Sequence, residues 1–101
     1  MSKRARTNHE QTKHDREVKQ IAKNYRQKGY KVWADDISGF TDPESYHGRV
    51  PDVVAKKDGH TTLVEVETDS SLDTTRAQKQ LRRFKSWAGR KTNRHFRREV
   101  V

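Results

Sequence analysis

Residues 49–67 narrow the possible folds more than any other stretch of this chain. They read Arg-Val-Pro-Asp-Val-Val-Ala-Lys-Lys-Asp-Gly-His-Thr-Thr-Leu-Val-Glu-Val-Glu. Val50, Val53 and Val54 mark a first strand, and Leu63, Val64 and Val66 a second. Lys57-Asp58-Gly59-His60 lies between them, and Asp58-Gly59 is a strong hairpin signal because Gly accepts positive φ cheaply. Glu65 and Glu67 stand two apart on one strand, so they point to the same face. Asp52 belongs to the partner strand and can reach that face too. Carboxylates that converge repel one another, and a hard divalent cation with oxygen ligands is the natural counter-charge. The competing account is a solvated strand face on which Glu65 and Glu67 pair with Arg or Lys. Asp52 and the charge map tip the balance toward a metal site.

That charge map is uneven. The 101 residues carry a formal net charge of +9. Residues 1–31 hold 10 Lys or Arg against 3 Asp or Glu, residues 32–73 hold 3 against 10, and residues 74–101 hold 10 against 1. An acidic centre between two basic flanks suits a metal-binding pocket framed by arms that attract phosphate. A protein that binds RNA or DNA without chemistry would also satisfy it. Only 29% of the chain is hydrophobic, which allows one small domain with a thin core. The absence of Cys excludes disulfides and thiolate zinc sites. No apolar run follows the basic start at Ser2-Lys3-Arg4, and none approaches the ~20 residues that span a bilayer. The expectation is an intracellular, cytoplasmic protein with no membrane partner.

Taken in order, residues 1–8 read as a basic disordered tail and residues 9–101 as a single domain. A helix is expected from about His9 to Lys28, with Val18, Ile21, Ala22 and Tyr25 as its apolar stripe and Gly29 as its stop. Glu17 lies at the edge of that stripe, either solvated or at the mouth of the acidic site. Tyr30 to Asp35 alternates like a strand, and Trp33 reads as core or half-core. Residues 36–48 form a loop carrying Ser38 and His47, the latter either solvent-exposed or a phosphate contact or general acid. Thr68 to Asp73 is a polar link, and Asp73 or Thr74 can cap a helix over Thr75–Ala88. Ala77, Leu81, Phe84 and Ala88 are its stripe, Trp87 lies beside them, and Gly89 stops it. Arg94 to Val101 reads as an edge strand that a helical crossover would lay parallel to the third. The fold class is α/β: a small mixed sheet flanked by helices, in the order helix-strand-strand-strand-helix-strand.

This order, with these residues, resembles the PD-(D/E)xK nuclease superfamily, and within it the small archaeal Holliday junction resolvases and their viral relatives. Pro51-Asp52 stands at the family's Pro-Asp, and Glu65-Val66-Glu67, thirteen residues on, at its (D/E)-x-K. Glu17 matches the acidic residue of the family's first helix, Ser38-Gly39 the resolvase loop, and Gln78 the Gln that many members place near the metal. The resemblance runs from about residue 14 to residue 88. It departs from the family at Glu67, where the motif has Lys. Glu67 then serves as a metal-linked base, or Lys79 supplies a migrated ammonium, or the site has lost its activity.

The resemblance implies a restriction-endonuclease-like fold and a metal-dependent DNA endonuclease, selective for branched DNA and working as a homodimer that buries Trp33, Trp87 or Phe84. Mg²⁺ or Mn²⁺ would be held by Asp52 and Glu65, with the Val66 carbonyl as a further ligand and Glu17 in a looser shell. Glu67 would orient or deprotonate the water, with Gln78 and Lys79 nearby. Arg49, Arg76, Arg82 and Arg83 would meet phosphates, a contribution blind to sequence and sensitive to salt. The rival function is a non-catalytic nucleic-acid-binding protein on the same fold. The residues themselves leave DNA and RNA equally open.

Overall fold

A computed structural model describes residues 7–101, so the expectation of disorder over residues 1–6 lies outside the described residues. Seven elements follow in order: α1 (Asn8–Gln27), β1 (Lys31–Ala34), β2 (Val53–Lys57), β3 (His60–Glu67), α2 (Asp69–Leu72), α3 (Thr75–Ala88) and β4 (Arg94–Val100). The strands form one sheet in the order β1-β2-β3-β4. β1 with β2 and β2 with β3 run antiparallel, while β3 with β4 runs parallel. The mixed sheet flanked by helices is the architecture expected of a restriction-endonuclease-like chain.

Local chemistry accounts for most of the boundaries. Thr7 caps α1 through its side chain, and Glu10 returns the favour at the Thr7 amide, so the helix begins at Asn8 with Thr7 as its cap, inside the stretch expected to be a tail. Gly29, with φ of 90°, turns the chain out of α1. Asp58 and Gly59 both sit at positive φ, the pattern of a type I′ turn, and join β2 to β3 in two residues. Thr74 caps α3 at the Ala77 amide. The parallel β3–β4 pair needs a crossover, and α3 provides it. The short helix α2 falls in the stretch that reads in sequence only as a polar link.

Alternation along the strands divides the core into two layers. Val53, Val64 and Val66 pack with Val18, Ile21 and Ala22 of α1 on one face of the sheet. Val54 and Leu63 pack with Phe84 and Trp87 of α3 on the other. This corrects the expected dimer contact: Phe84 and Trp87 are 0% and 5% exposed within the chain's own core, so neither is available to a second copy. Trp33 is half-buried against the same cluster, with Lys56 over its ring. No helix among the described residues is long and apolar enough to cross a membrane.

Candidate active site

The β2–β3 ladder stops at the pair Val53–Val64. Beyond it the strands part, with the buried Pro51 and half-buried Asp52 on one arm and Glu65 to Glu67 on the other. Main-chain amides at such a fork lose their ladder partners and need others. Here the two motif carboxylates supply them reciprocally. The Asp52 amide donates to Glu65 Oε1 at 2.9 Å, and the Val66 amide donates to Asp52 Oδ2 at 2.8 Å. The second oxygen of Glu65, Oε2, accepts from Gln80 Nε2 of α3 at 3.0 Å. Asp52 and Glu65 are thus each tied to the other's arm of the fork through a main-chain amide. Glu65 is 5% exposed. A carboxylate so deep is tolerable only because both its oxygens accept hydrogen bonds.

α1 brings a residue that sequence reasoning missed. His14 is buried, and its ring spans two carboxylates: Nδ1 lies 3.0 Å from Asp15 Oδ1 and Nε2 lies 3.3 Å from Asp52 Oδ2. Gln11 Nε2 donates to Asp15 Oδ1 at 2.8 Å and holds it in place. The signal was available, since one step of four residues back from Val18 along the α1 stripe lands on His14. Asp35 completes the acidic surroundings, and its amide donates to the Asp52 carbonyl. Partial desolvation first, and then the charges of Asp52, Asp42 and Asp36, push the Asp35 carboxyl above its ordinary range, while His14 opposes the shift.

Glu67, on the same side of β3 as Glu65 and equally buried, keeps other company. Its Oε1 accepts from Ser71 Oγ of α2 at 2.7 Å. Thr68 Oγ1 lies within hydrogen-bond reach of Ser71 Oγ and Ser70 Oγ, and Ser70 Oγ donates to Glu10 Oε1 of α1. That last bond, with the Thr7 amide, holds the half-buried Glu10 carboxyl below its usual range. The row of hydroxyls thus ties the end of β3 to the first turn of α1.

Other sequence candidates stand apart from the fork. α3 turns Ala77, Gln80, Phe84 and Trp87 toward the sheet, and a position two residues from Gln80 falls on the opposite side of a helix. Gln78 is accordingly exposed, as is Lys79, and Gln80 occupies the place assigned to Gln78. Glu17 is half-buried on α1, one turn beyond His14, and no contact among the described residues joins it to Asp52 or Glu65. Arg76, Arg82 and Arg83 lie exposed on α3, and Arg49 is half-buried at the end of a tight turn that it closes with Tyr46. Ser38 and His47 are exposed in the loop.

Among the described residues no group of three or more His, Asp or Glu side chains is arranged to hold a metal ion. The set at the fork is smaller: two carboxylates, Asp52 and Glu65, on facing arms. That set fits a Mg²⁺-like ion, which commonly takes one or two carboxylates and fills its other positions with water and substrate phosphate. In an extended strand a residue's N–H and C=O point to the same side, so the Val66 carbonyl faces the fork with its amide.

A family model described as AHJR-like, REase_AHJR-like, matches residues 5–93. No curated protein and no solved structure matches the chain.

Proposed function

The chain belongs to this restriction-endonuclease-like family, and from that premise we propose that it is a divalent-metal-dependent endonuclease hydrolysing phosphodiester bonds in DNA. The observation that carries the reading is the reciprocal clasp at the fork, where Asp52 and Glu65 each bond the other strand's main chain. A buried and a half-buried carboxylate fixed at one fork are costly to folding, and a cation that both would hold would offset that cost.

Asp52 and Glu65 are the residues to hold Mg²⁺ or Mn²⁺. The bound ion would supply charge neutralisation at the phosphoryl oxygens and a more acidic water. The chain's own groups do the rest. Gln80 fixes the Glu65 carboxylate from α3, and His14, backed by Asp15, fixes that of Asp52 from α1. Glu67 accepts the proton of the attacking water as the new P–O bond forms and the bond to the leaving oxygen breaks. The leaving oxygen takes its proton from solvent. Arg76, Arg82 and Arg83 meet the backbone phosphates. Branched DNA is the substrate form and a homodimer the assembly that the likeness to junction resolvases supports.

One observation favours a second reading, a protein that binds nucleic acid without cutting it. Glu67 replaces the motif's Lys and already bonds Ser71. Cleavage of linear and branched DNA with Mg²⁺, with Mn²⁺ and with chelator, beside Asp52→Asn, separates the two. The endonuclease requires metal-dependent products that Asp52→Asn abolishes. Tight binding with no product under any metal leaves only the second.

A further inference from the structure

A groove of about 470 Å³ opens on the outer side of α3, away from the fork. It is lined by His47, Arg82, Arg83, Ser86 and Arg90. Its walls are anchored. Arg83 Nη1 donates to the His47 carbonyl at 3.2 Å, and the ring of Tyr46, beside His47, meets Trp87 edge-on at 5.3 Å. His47 sits at φ of 50°, a conformation a non-Gly residue holds at some cost, and the turn it makes with Gly48 places it over the groove. None of the lining residues is acidic. Residues 74–98 contain ten Lys or Arg and no Asp or Glu, and among the described residues Arg82, Arg83 and Arg90 form no ion pair. Three guanidiniums around one opening repel one another unless an anion or solvent lies between them.

We propose that this groove is a phosphodiester-backbone seat, separate from the fork, for the nucleic acid that the proposed function would have bound there. The inference rests on that function for the identity of the anion. Guanidinium forks match phosphate oxygens bidentately, and the Ser86 hydroxyl and His47 imidazole add further hydrogen-bond donors. Ser86 lies six residues along α3 from Gln80, a rise of about 9 Å. For a duplex lying along the helix that axial offset alone is roughly three base-pair steps. The groove therefore grips the substrate at a distance and sets a minimum length for tight binding.

The test is duplex binding by fluorescence anisotropy across a salt series, without divalent metal. Wild type is compared with Arg82→Gln/Arg90→Gln, which spares the Arg83 anchor, and with Lys19→Gln/Lys23→Gln, which removes the same charge from the exposed face of α1. The groove pair should lower the slope of log K against log salt by about 2, one per guanidinium, and weaken a 20-bp duplex several-fold more than the α1 pair does. Equal losses from the two pairs, or no loss from the groove pair, overturn the seat. Wild type that binds no nucleic acid overturns the seat and the nuclease reading together. Wild type that binds through the groove but never cleaves sinks the nuclease reading and leaves the seat standing.

Discussion

Glu65 and Glu67 leave β3 on the same side, two residues apart, and each is 5% exposed. Their surroundings differ because different elements come next to them. Glu65 stands where β2 peels away, so it takes up the orphaned Asp52 amide and meets Gln80 of α3. Glu67 stands where β3 gives way to α2, so it takes up Ser71 and joins a row of hydroxyls reaching Glu10. Sharing a strand face thus does not give the two carboxylates the same partners. The fork makes Glu65 part of a two-carboxylate clasp, and the following turn makes Glu67 part of a helix junction.

The largest effect tests the Glu65 side. Asp52→Asn and Glu65→Gln keep the shape of the clasp and remove the charge. Each should cut cleavage on the order of 10³-fold, the rate equivalent of several kcal/mol of lost charge stabilisation. Divalent-metal binding measured by calorimetry should fall with it, and variants that bind metal and cleave like wild type would dissolve the clasp as a metal site.

Glu67→Gln sharpens the contrast from the other side. The amide can still accept from Ser71, so the melting temperature should change little. If Glu67 receives the proton from water, cleavage should fall by about 10²-fold while DNA affinity holds, because general-base catalysis contributes in that range. Unchanged turnover would assign Glu67 to the helix junction alone.

A smaller effect distinguishes neighbours on α3. Gln80→Ala removes the bond that orients Glu65, and loss of such a supporting contact typically costs 10- to 100-fold in metal affinity or activity. Gln78→Ala, on the exposed side, should leave both unchanged. Parallel single-turnover rates would show it, and the reverse order would mean that α3 sits in another rotation.

These contrasts also explain what could be read without coordinates. The hairpin, α1, α3 and β4 were legible because their signals are local: Asp58-Gly59, two apolar stripes, and caps at Gly29 and Thr74. Strand alternation put Glu65 and Glu67 on one face and left Asp52 within reach of it, but it did not reveal the main-chain bonds that tie each of Asp52 and Glu65 to the other's arm. Gln80 was missed because Gln78 was assigned by family likeness, although the α3 stripe from Ala77 to Phe84 already places position 78 outward. His14 was missed because the α1 stripe was begun at Val18, one turn late. α2 has four residues and no apolar stripe, so nothing marked it, and with it the link from Glu67 to Ser71 was out of reach. The expected dimer contact through Phe84 and Trp87 failed because the same residues serve the chain's own core.

The smallest expected effect lies on the Asp52 arm of the fork and is read in stability. Asp35 has a carboxyl raised from 3.8, by desolvation first and then by Asp52, Asp42 and Asp36. Between the ordinary value and the raised one, the folded chain holds more protons than the unfolded chain. Stability therefore falls as pH rises through that window, and the ionised group remains a fixed cost above it. Asp35→Asn removes the cost. Its melting temperature should exceed that of wild type at neutral pH, and the difference should vanish below about 3.8, where both folded and unfolded wild type are protonated. Added Mg²⁺ should also shrink the difference, since a cation on Asp52 would relieve the repulsion that Asp35 feels. A constant difference from acid to neutral pH would show that the fork's charges do not reach Asp35. The acidic site would then end at Asp52.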